Sequence, residues 1–227
     1  MKKILIIFFL IPVIIVIFSK QLVQLYFSYK LSNWVEKKIT FNEFNFTYPN
    51  LISINGLKIM NLNPIYYESI FEAEKVDIDF NLRSFLLDDL VIINHLKIEK
   101  AKFFLEIIEK KSKLIKSKKN KNVIFEDNIG LAKKINEDVP DKIWPIKKKD
   151  INFMILKSYI NTGKAYIKVS SISEFFEIKL SDFKFVNVGN HTQLQHYKSV
   201  LKIMFFDIYS RIEDTDLKKL LKNIYNL

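Results

Sequence analysis

Residues 73–82 read Ala73-Glu74-Lys75-Val76-Asp77-Ile78-Asp79-Phe80-Asn81-Leu82, with Val76, Ile78, Phe80 and Leu82 alternating against Asp77, Asp79 and Asn81. Successive side chains of a strand point to opposite faces, so this stretch predicts a strand buried on one face and wet on the other. Working towards the N-terminus, Phe44, Phe46 and Tyr48 alternate with Asn45 and Thr47 before Pro49-Asn50 closes the segment. Residues 51–61 (LISINGLKIMN) supply another strand, with Gly56 at a bend or bulge. Towards the C-terminus, residues 91–107 give one or two more, with Leu96 and Ile98 facing one way and Lys97 and Glu99 the other. The short connections predict antiparallel neighbours and a first β-meander over 39–109, apolar on one side.

Residues 110–149 break the pattern. The stretch 110–121 (KKSKLIKSKKNK) carries seven Lys, and Pro140 and Pro145 follow without steady periodicity, so the segment reads as an exposed insertion. Strands resume in a second meander over 150–190, with a hairpin expected around Asn161-Thr162-Gly163. Over 191–227 the period returns to 3.6: Leu194, Tyr197, Leu201, Met204, Ile208 and Ile212 form one stripe. Asp214-Thr215 then caps a last helix carrying Leu217, Leu220, Leu221 and Ile224. The expected body is α+β, a curved, groove-like antiparallel β-sheet with a C-terminal amphipathic helix.

The start of the chain is of a different kind. Lys2 and Lys3 precede an apolar run over residues 4–18, the charged and apolar parts of a secretory signal. Cleavage needs small residues one and three positions before the cut, and Ile, Val and Phe crowd that window, so the run is expected to be retained. Leu22, Val23, Leu25, Tyr26 and Phe27 extend it towards the roughly 20 apolar residues that a bilayer needs, with Lys20 snorkelling to the interface. Val23, Phe27, Leu31 and Trp34 continue at helical spacing, so 1–38 reads as a transmembrane helix over 4–27 and an amphipathic collar. The positive-inside rule keeps Lys2 and Lys3 in the cytoplasm and sends the body across, although Lys30, Lys37 and Lys38 pull the other way. The competing reading, a terminal core helix, would need burial on every side.

Composition narrows the chemistry. With 4 Gly in 227 residues and no G-x-S-x-G, Walker or dinucleotide pattern, glycine-rich phosphate loops and hydrolase elbows are excluded. A count of zero Cys removes disulfides, thiolate catalysis and Cys-ligated metals. His95, His191 and His196 lack metal-ligand spacing. Glu72, Glu74, Asp77 and Asp79 offer paired carboxylates, yet their alternation with apolar residues reads as the wet face of a strand. The net charge of +11 suits nucleic acid or an anionic membrane, but the lysine run lacks the interleaved aromatics that base stacking requires. The expectation is a protein that is not an enzyme, with no metal, no cofactor and no nucleic-acid partner.

Ile54-Asn55-Gly56-Leu57-Lys58-Ile59-Met60-Asn61, then residues 73–79, then His95-Leu96-Lys97-Ile98, all behind an N-terminal membrane helix, resemble the AsmA-like family of bacterial envelope proteins. Residues 178–189 (IKLSDFKFVNVG) before a helix are similar to the close of the family's short members. The resemblance rests on apolar alternation over roughly two thirds of the chain. It departs in size, because this chain has too few strands to bridge two membranes. It implies a β-groove, apolar inside, that shelters acyl chains in the Gram-negative envelope: a single-pass inner-membrane protein with its C-terminal body in the periplasm. The implied lipid-groove residues are Phe44, Phe46, Val76, Ile78, Phe80, Leu96 and Ile98, the ligand a phospholipid or another acyl lipid, and the partners other envelope proteins. Two alternatives stay open. One is a ligand-free periplasmic tether or scaffold whose same residues pack against the C-terminal helix. The other is a subunit similar to the small anchored component of lipopolysaccharide export, which does not predict a helical tail after Gly189.

Overall fold

In the computed structural model the described residues are 24–25, 28–29, 31–32, 37–81, 83–84, 90–111, 123–128, 152–190 and 195–225. The expected spanning run lies outside them but for Gln24 and Leu25; of the expected insertion over 110–149, residues 110–111 and 123–128 are described, and 110–111 and 123–127 are strand. Among the described residues no helix is long and apolar enough to cross a membrane.

The strands are β1 (Ile39–Thr40), β2 (Glu43–Thr47), β3 (Leu51–Met60), β4 (Ser69–Phe80), β5 (Leu90–Glu99), β6 (Lys102–Lys111), β7 (Val123–Asp127), β8 (Asn152–Asn161), β9 (Lys164–Val169), β10 (Phe175–Lys179), β11 (Phe183–Gly189) and β12 (Gln195–His196). Helices α1 (Tyr197–Ser210) and α2 (Thr215–Tyr225) follow. Among the described residues all strands belong to one 12-stranded sheet, ordered β10-β9-β6-β4-β5-β8-β11-β12, with β3 on the other edge of β4, β1 and β2 along β3, and β7 on β6. It is a curved, open sheet.

Several strands are halves of longer ribbons. Lys75 of β4 pairs with Glu99 of β5, and Glu72 of β4 with Lys102 of β6, so β5 and β6 follow one another along a single edge of β4. Likewise β8–β9 lies beside β5–β6, β10–β11 beside β8–β9, and β1–β2 beside β3.

This arrangement corrects three expectations. Not all neighbours are antiparallel, because β5 pairs with β8 and β6 with β9 in parallel. Segments 39–109 and 150–190 are not separate meanders, since those same pairings join them in one sheet. Asn161-Thr162-Gly163 makes no hairpin; β8 runs on into β9, with the Lys100 N–H donating to the Asn161 carbonyl at 3.1 Å and the Lys164 N–H to the Ala101 carbonyl at 2.8 Å across the junction. Turn-forming residues can reverse a chain or only bend it. Here the parallel neighbour bends at the same level, which keeps β8–β9 running forward.

That shared level crosses every ribbon. Inner-face residues step by two along a strand, but here the face passes from Phe41 to Phe44, Ile54 to Leu57, Ala73 to Val76, Ile98 to Ala101, Ile160 to Gly163 and Leu180 to Phe183. Each gap holds a polar or glycine pair: Asn42-Glu43, Asn55-Gly56, Glu74-Lys75, Glu99-Lys100, Asn161-Thr162 and Ser181-Asp182. An extra residue in one strand alone would turn its later side chains to the wrong face. Repeated at one level in every ribbon, it bends the sheet and leaves facing and register intact, as Asn55↔Lys75 and Leu57↔Ala73 show on either side of the bend.

The bend needs left-handed backbone at Gly56 (φ 65), Lys100 (φ 51) and Thr162 (φ 52). At Gly56 an added Cβ would lie 2.3 Å from the Asn42 side-chain nitrogen. Polar contacts hold the line: Lys100 Nζ to Glu74 Oε2 at 2.7 Å, and Asp182 accepting from the Thr162 N–H at 2.9 Å and the Tyr159 hydroxyl at 3.0 Å.

Both helices lie on the inner face, where Phe205, Leu217, Leu221 and Tyr225 share a buried cluster with Leu105, Ile167, Ile178 and Phe183. Asp214 accepts the Leu217 N–H at 2.7 Å, the expected N-cap. Of the two adjacent phenylalanines, Phe205 is 2% exposed and Phe206 51%. Asp207 fastens α1 to the bend, accepting from the Ser181 N–H at 3.0 Å, the Ser181 hydroxyl at 2.8 Å and Arg211 Nε at 3.1 Å. Burial works to raise the Asp207 pKa, but the Ser181 and Arg211 hydrogen bonds and the Arg211 charge outweigh it and hold it below the ordinary carboxylate value.

At the β1 edge the described helical residues present a polar stripe four apart. The Gln24 side-chain amide donates to the Phe41 carbonyl at 3.3 Å, the Ser28 hydroxyl donates to the Ile39 carbonyl at 2.6 Å, and the Ser32 hydroxyl accepts the Ile39 N–H at 2.8 Å. These contacts occupy backbone groups that an edge strand would otherwise leave open to pairing. Of the expected collar stripe only Leu31 is among the described residues, half-buried; Val23, Phe27 and Trp34 lie outside them.

Candidate functional site

Strand register places the expected groove residues. Phe44 pairs with Ile54, Ile54 with Val76, Val76 with Ile98, Ile98 with Ile160, and Ile160 with Phe183. The next row runs Phe46, Ile52, Ile78, Leu96, Ser158, Phe185 by the same pairings. Phe80 stands one row further, its ring 6.4 Å from that of Phe46. All seven expected residues therefore share one face in adjacent rows, because the alternation in each strand is carried across the sheet by pairing.

Their exposures differ along the rows. Phe44, Val76 and Phe80 are 3%, 4% and 8% exposed, Ile78, Leu96 and Ile98 are half-buried, and Phe46 at the β2 edge is 49% exposed. The rows start at the half-exposed Phe46 of β2 and run across residues of β3 and β4 that are buried or half-buried. Towards β8 and β11 they pass into the helix-covered cluster, to which Ile160, Phe183 and Phe185 belong.

Sequence reasoning missed Phe41, Ile52, Ile54, Leu57 and Ala73, which belong to the same cluster. The signal was present as a repeat, apolar-x-apolar, two polar or glycine residues, then apolar: ITFNEF at 39–44, ISINGL at 52–57, FEAEKV at 71–76, LKIEKA at 96–101 and IKLSDF at 178–183. Counting strict alternation hides it, since each copy breaks the period once.

The acidic stretch lies on the outer face, and each carboxylate is engaged locally. Glu72 meets Lys58 at 3.4 Å and Glu74 meets Lys100 at 2.7 Å. Asp77 accepts from the Ser53 hydroxyl at 2.5 Å and pairs with Lys75 at 2.8 Å, and Asp79 accepts from Asn50 Nδ2 at 2.6 Å. Burial works against the Asp77 charge, but the Lys75 and Ser53 hydrogen bonds and the nearby lysines hold its carboxyl below the ordinary range. Apart from Lys75–Asp77, which lies within β4, these ties run between neighbouring segments of the sheet. Of the histidines, His95 is exposed and His196 half-buried, and His191 lies outside the described residues. Among the described residues no group of three or more His, Cys, Asp or Glu could hold a metal ion.

No family model matches this chain, and no curated protein and no solved structure matches it either.

Proposed function

We propose that the chain is a membrane-held, lipid-handling protein of the AsmA-like kind, sheltering an acyl chain along these rows without making or breaking bonds. The observation that carries this reading is the apolar row from Phe44 through Ile54, Val76, Ile98 and Ile160 to Phe183 in the helix-covered cluster, beside a second row that starts at Phe46, 49% exposed, and is interrupted by Ser158. An acyl chain laid along a row would cross strands roughly 4.8 Å apart. The apolar area it removes from water would contribute about 25 cal/mol per Å². A row that ends in the helix-covered cluster suits holding and presenting a chain rather than passing it along.

In this reading residues 4–27 anchor the protein in the inner membrane, with the body in the periplasm. The docking of Gln24, Ser28 and Ser32 on β1 supports an entrance near the bilayer, because it joins the anchor to the edge where the rows begin.

A second reading, the ligand-free scaffold, is favoured by burial: Phe44 at 3%, Ile54 at 1% and Val76 at 4% are already withdrawn from water. The two are separated by reconstituting the full chain in bilayers containing a phospholipid with a diazirine near its acyl terminus, irradiating, and mapping the adducts. We expect adducts on peptides carrying Ile78, Leu96 or Ile98, reduced in Ile78→Trp, whose larger side chain fills the same row. Adducts confined to residues 4–27 would favour the scaffold.

A further inference from the structure

On the outer face, strands β6, β9 and β10 set three rows of side chains beside one another. The row furthest from the bend holds Glu106, Lys168 and Phe175, and its charges are used within the fold. Glu106 is 0% exposed, and its carboxylate accepts the N–H groups of Ile65 at 3.4 Å, Tyr66 at 2.9 Å and Tyr67 at 2.5 Å. Burial first, then the charge of Glu106, pushes the Tyr67 hydroxyl up to about 12. Lys168, 6% exposed, donates from Nζ to the carbonyls of Ile172 at 2.5 Å, Ser173 at 2.7 Å and Glu174 at 3.3 Å. Burying an ion is costly unless its bonding capacity is filled. Here the two ions fasten the loop over 61–68 and the turn over 170–174 to the sheet through their backbones. In the middle row the Phe104 and Tyr166 rings stack at 5.1 Å, and Glu177 beside them reaches Lys164 of the next row at 2.6 Å.

The row nearest the bend is of another kind. Lys102 pairs with Lys164 and Lys164 with Lys179, so three lysines occupy directly opposed positions on adjacent strands. Like charges set opposite one another destabilise a sheet. Elsewhere on the described outer face opposed charges differ in sign, as at Lys58↔Glu72, Lys75↔Glu99 and Asp77↔Lys97. Glu177 meets one of the three cations, and Glu72, opposite Lys102, is held by Lys58 at 3.4 Å and the Ser69 hydroxyl at 2.8 Å. Among the described residues neither Lys102 nor Lys179 meets a carboxylate within 4.0 Å, and both are exposed.

We propose that this row binds a phosphate monoester. Lys102, Lys164 and Lys179 against Glu177 leave a net charge of +2. A terminal phosphate carries close to two negative charges above its second pKa of about 6 and offers three acceptor oxygens. An ammonium is a compact charge with three donors, and three of them on neighbouring strands surround such a group. The stacked Phe104 and Tyr166 rings stand along one side of the row. The ester is either soluble or the headgroup of a phosphatidic acid, whose phosphate is also a monoester. The inference goes beyond the proposed function and is independent of it, because the apolar rows lie on the other face.

The full chain in neutral detergent micelles is titrated calorimetrically with glycerol 3-phosphate, and separately with micelles carrying phosphatidic acid or phosphatidylglycerol, a diester with a single charge. We expect the monoester to bind at about pH 7.5 and to weaken as pH falls below about 6, where the dianion is lost. Lys102→Gln and Lys179→Gln should each weaken binding about tenfold. Lys58→Gln, whose charge is engaged by Glu72, should change it less than about twofold. Without ligand and at low salt, the Lys102 and Lys179 variants should melt about 1–3 °C above the wild type, because the repulsion is relieved. A purely structural role would lower the melting temperature instead. Tighter binding of phosphatidic acid than of glycerol 3-phosphate assigns a lipid headgroup, and equal binding assigns a soluble ester. No binding of either, equal binding of phosphatidylglycerol, or a lower melting temperature in both lysine variants overturns the inference.

Discussion

The inner face carries two apolar clusters that share one sheet and differ in the described elements that join them. Over β6, β9, β10 and β11 the helices bring Leu217 and Leu221 to 0% exposure and Tyr225 to 1%, in one cluster with the strands. Over β2 to β5 the described cluster is drawn from strands and the bend residue Phe41, with Phe44, Ile54 and Val76 buried and Ile78, Leu96 and Ile98 half-buried. The strand patterns are alike in both: Ile178-Lys179-Leu180 in the helix-covered cluster reads no differently from Ile52-Ser53-Ile54 in the other. Alternation decides which face is apolar; the tertiary structure decides which elements join each cluster on that face.

The largest test of this contrast is truncation under the helices. Leu217→Ala or Leu221→Ala should cost about 3–5 kcal/mol in urea unfolding, because a fully buried leucine leaves a cavity. Ile78→Ala, on the half-buried row, should cost about 1–2 kcal/mol, since less apolar area was out of water to begin with. Equal losses would mean that the two clusters form a single core.

A smaller effect is expected at the bend that both clusters share. Gly56→Ala places a Cβ against Asn42 at a backbone φ of 65, and should cost about 2 kcal/mol. Adding Asn42→Ala should return part of that loss by removing the contact while leaving the backbone strain. A neutral Gly56→Ala would show that the bend tolerates a side chain there.

The smallest concerns the latch between α1 and the bend. The folded pKa of Asp207 lies below its unfolded value, so its contribution is complete above the unfolded pKa and is lost as pH falls through the folded one. Thermal unfolding from about pH 5 down to about pH 2 should therefore show a steeper loss in the wild type than in Asp207→Asn, most of it below about pH 4. Parallel curves would remove Asp207 as a latch.

Much of this was legible in the sequence. Most strand positions followed from period-two runs, although β7 lies in the stretch read as an insertion and β12 in the expected helical tail; the Asp214 cap followed from its place before Leu217, and alternation gave the facing within each strand that pairing then carried across the sheet. The bend line was legible only as a repeat. Taken one at a time, Asn161-Thr162-Gly163 looks like a hairpin turn; taken with Asn55-Gly56 and Glu99-Lys100 at matching positions, it is one step of a common bend. The fastening of the 61–68 loop had no such signal, because Glu106 reads as an ordinary wet residue opposite Leu105 and Ile107, and its backbone partners lie about forty residues away.

By itself the sequence determined which residues face together within a strand, where the last helix starts, and that positive charge gathers in one stretch, because these depend on local period and composition; the first helix, expected from Thr192, begins only at Tyr197 after β12. Tertiary structure decided the parallel pairing of β5 with β8, the level at which all ribbons bend, which part of the apolar face the helices cover, and the burial of Glu106 and Lys168. Those are set by contacts between residues distant in the chain, whose energies no local pattern encodes.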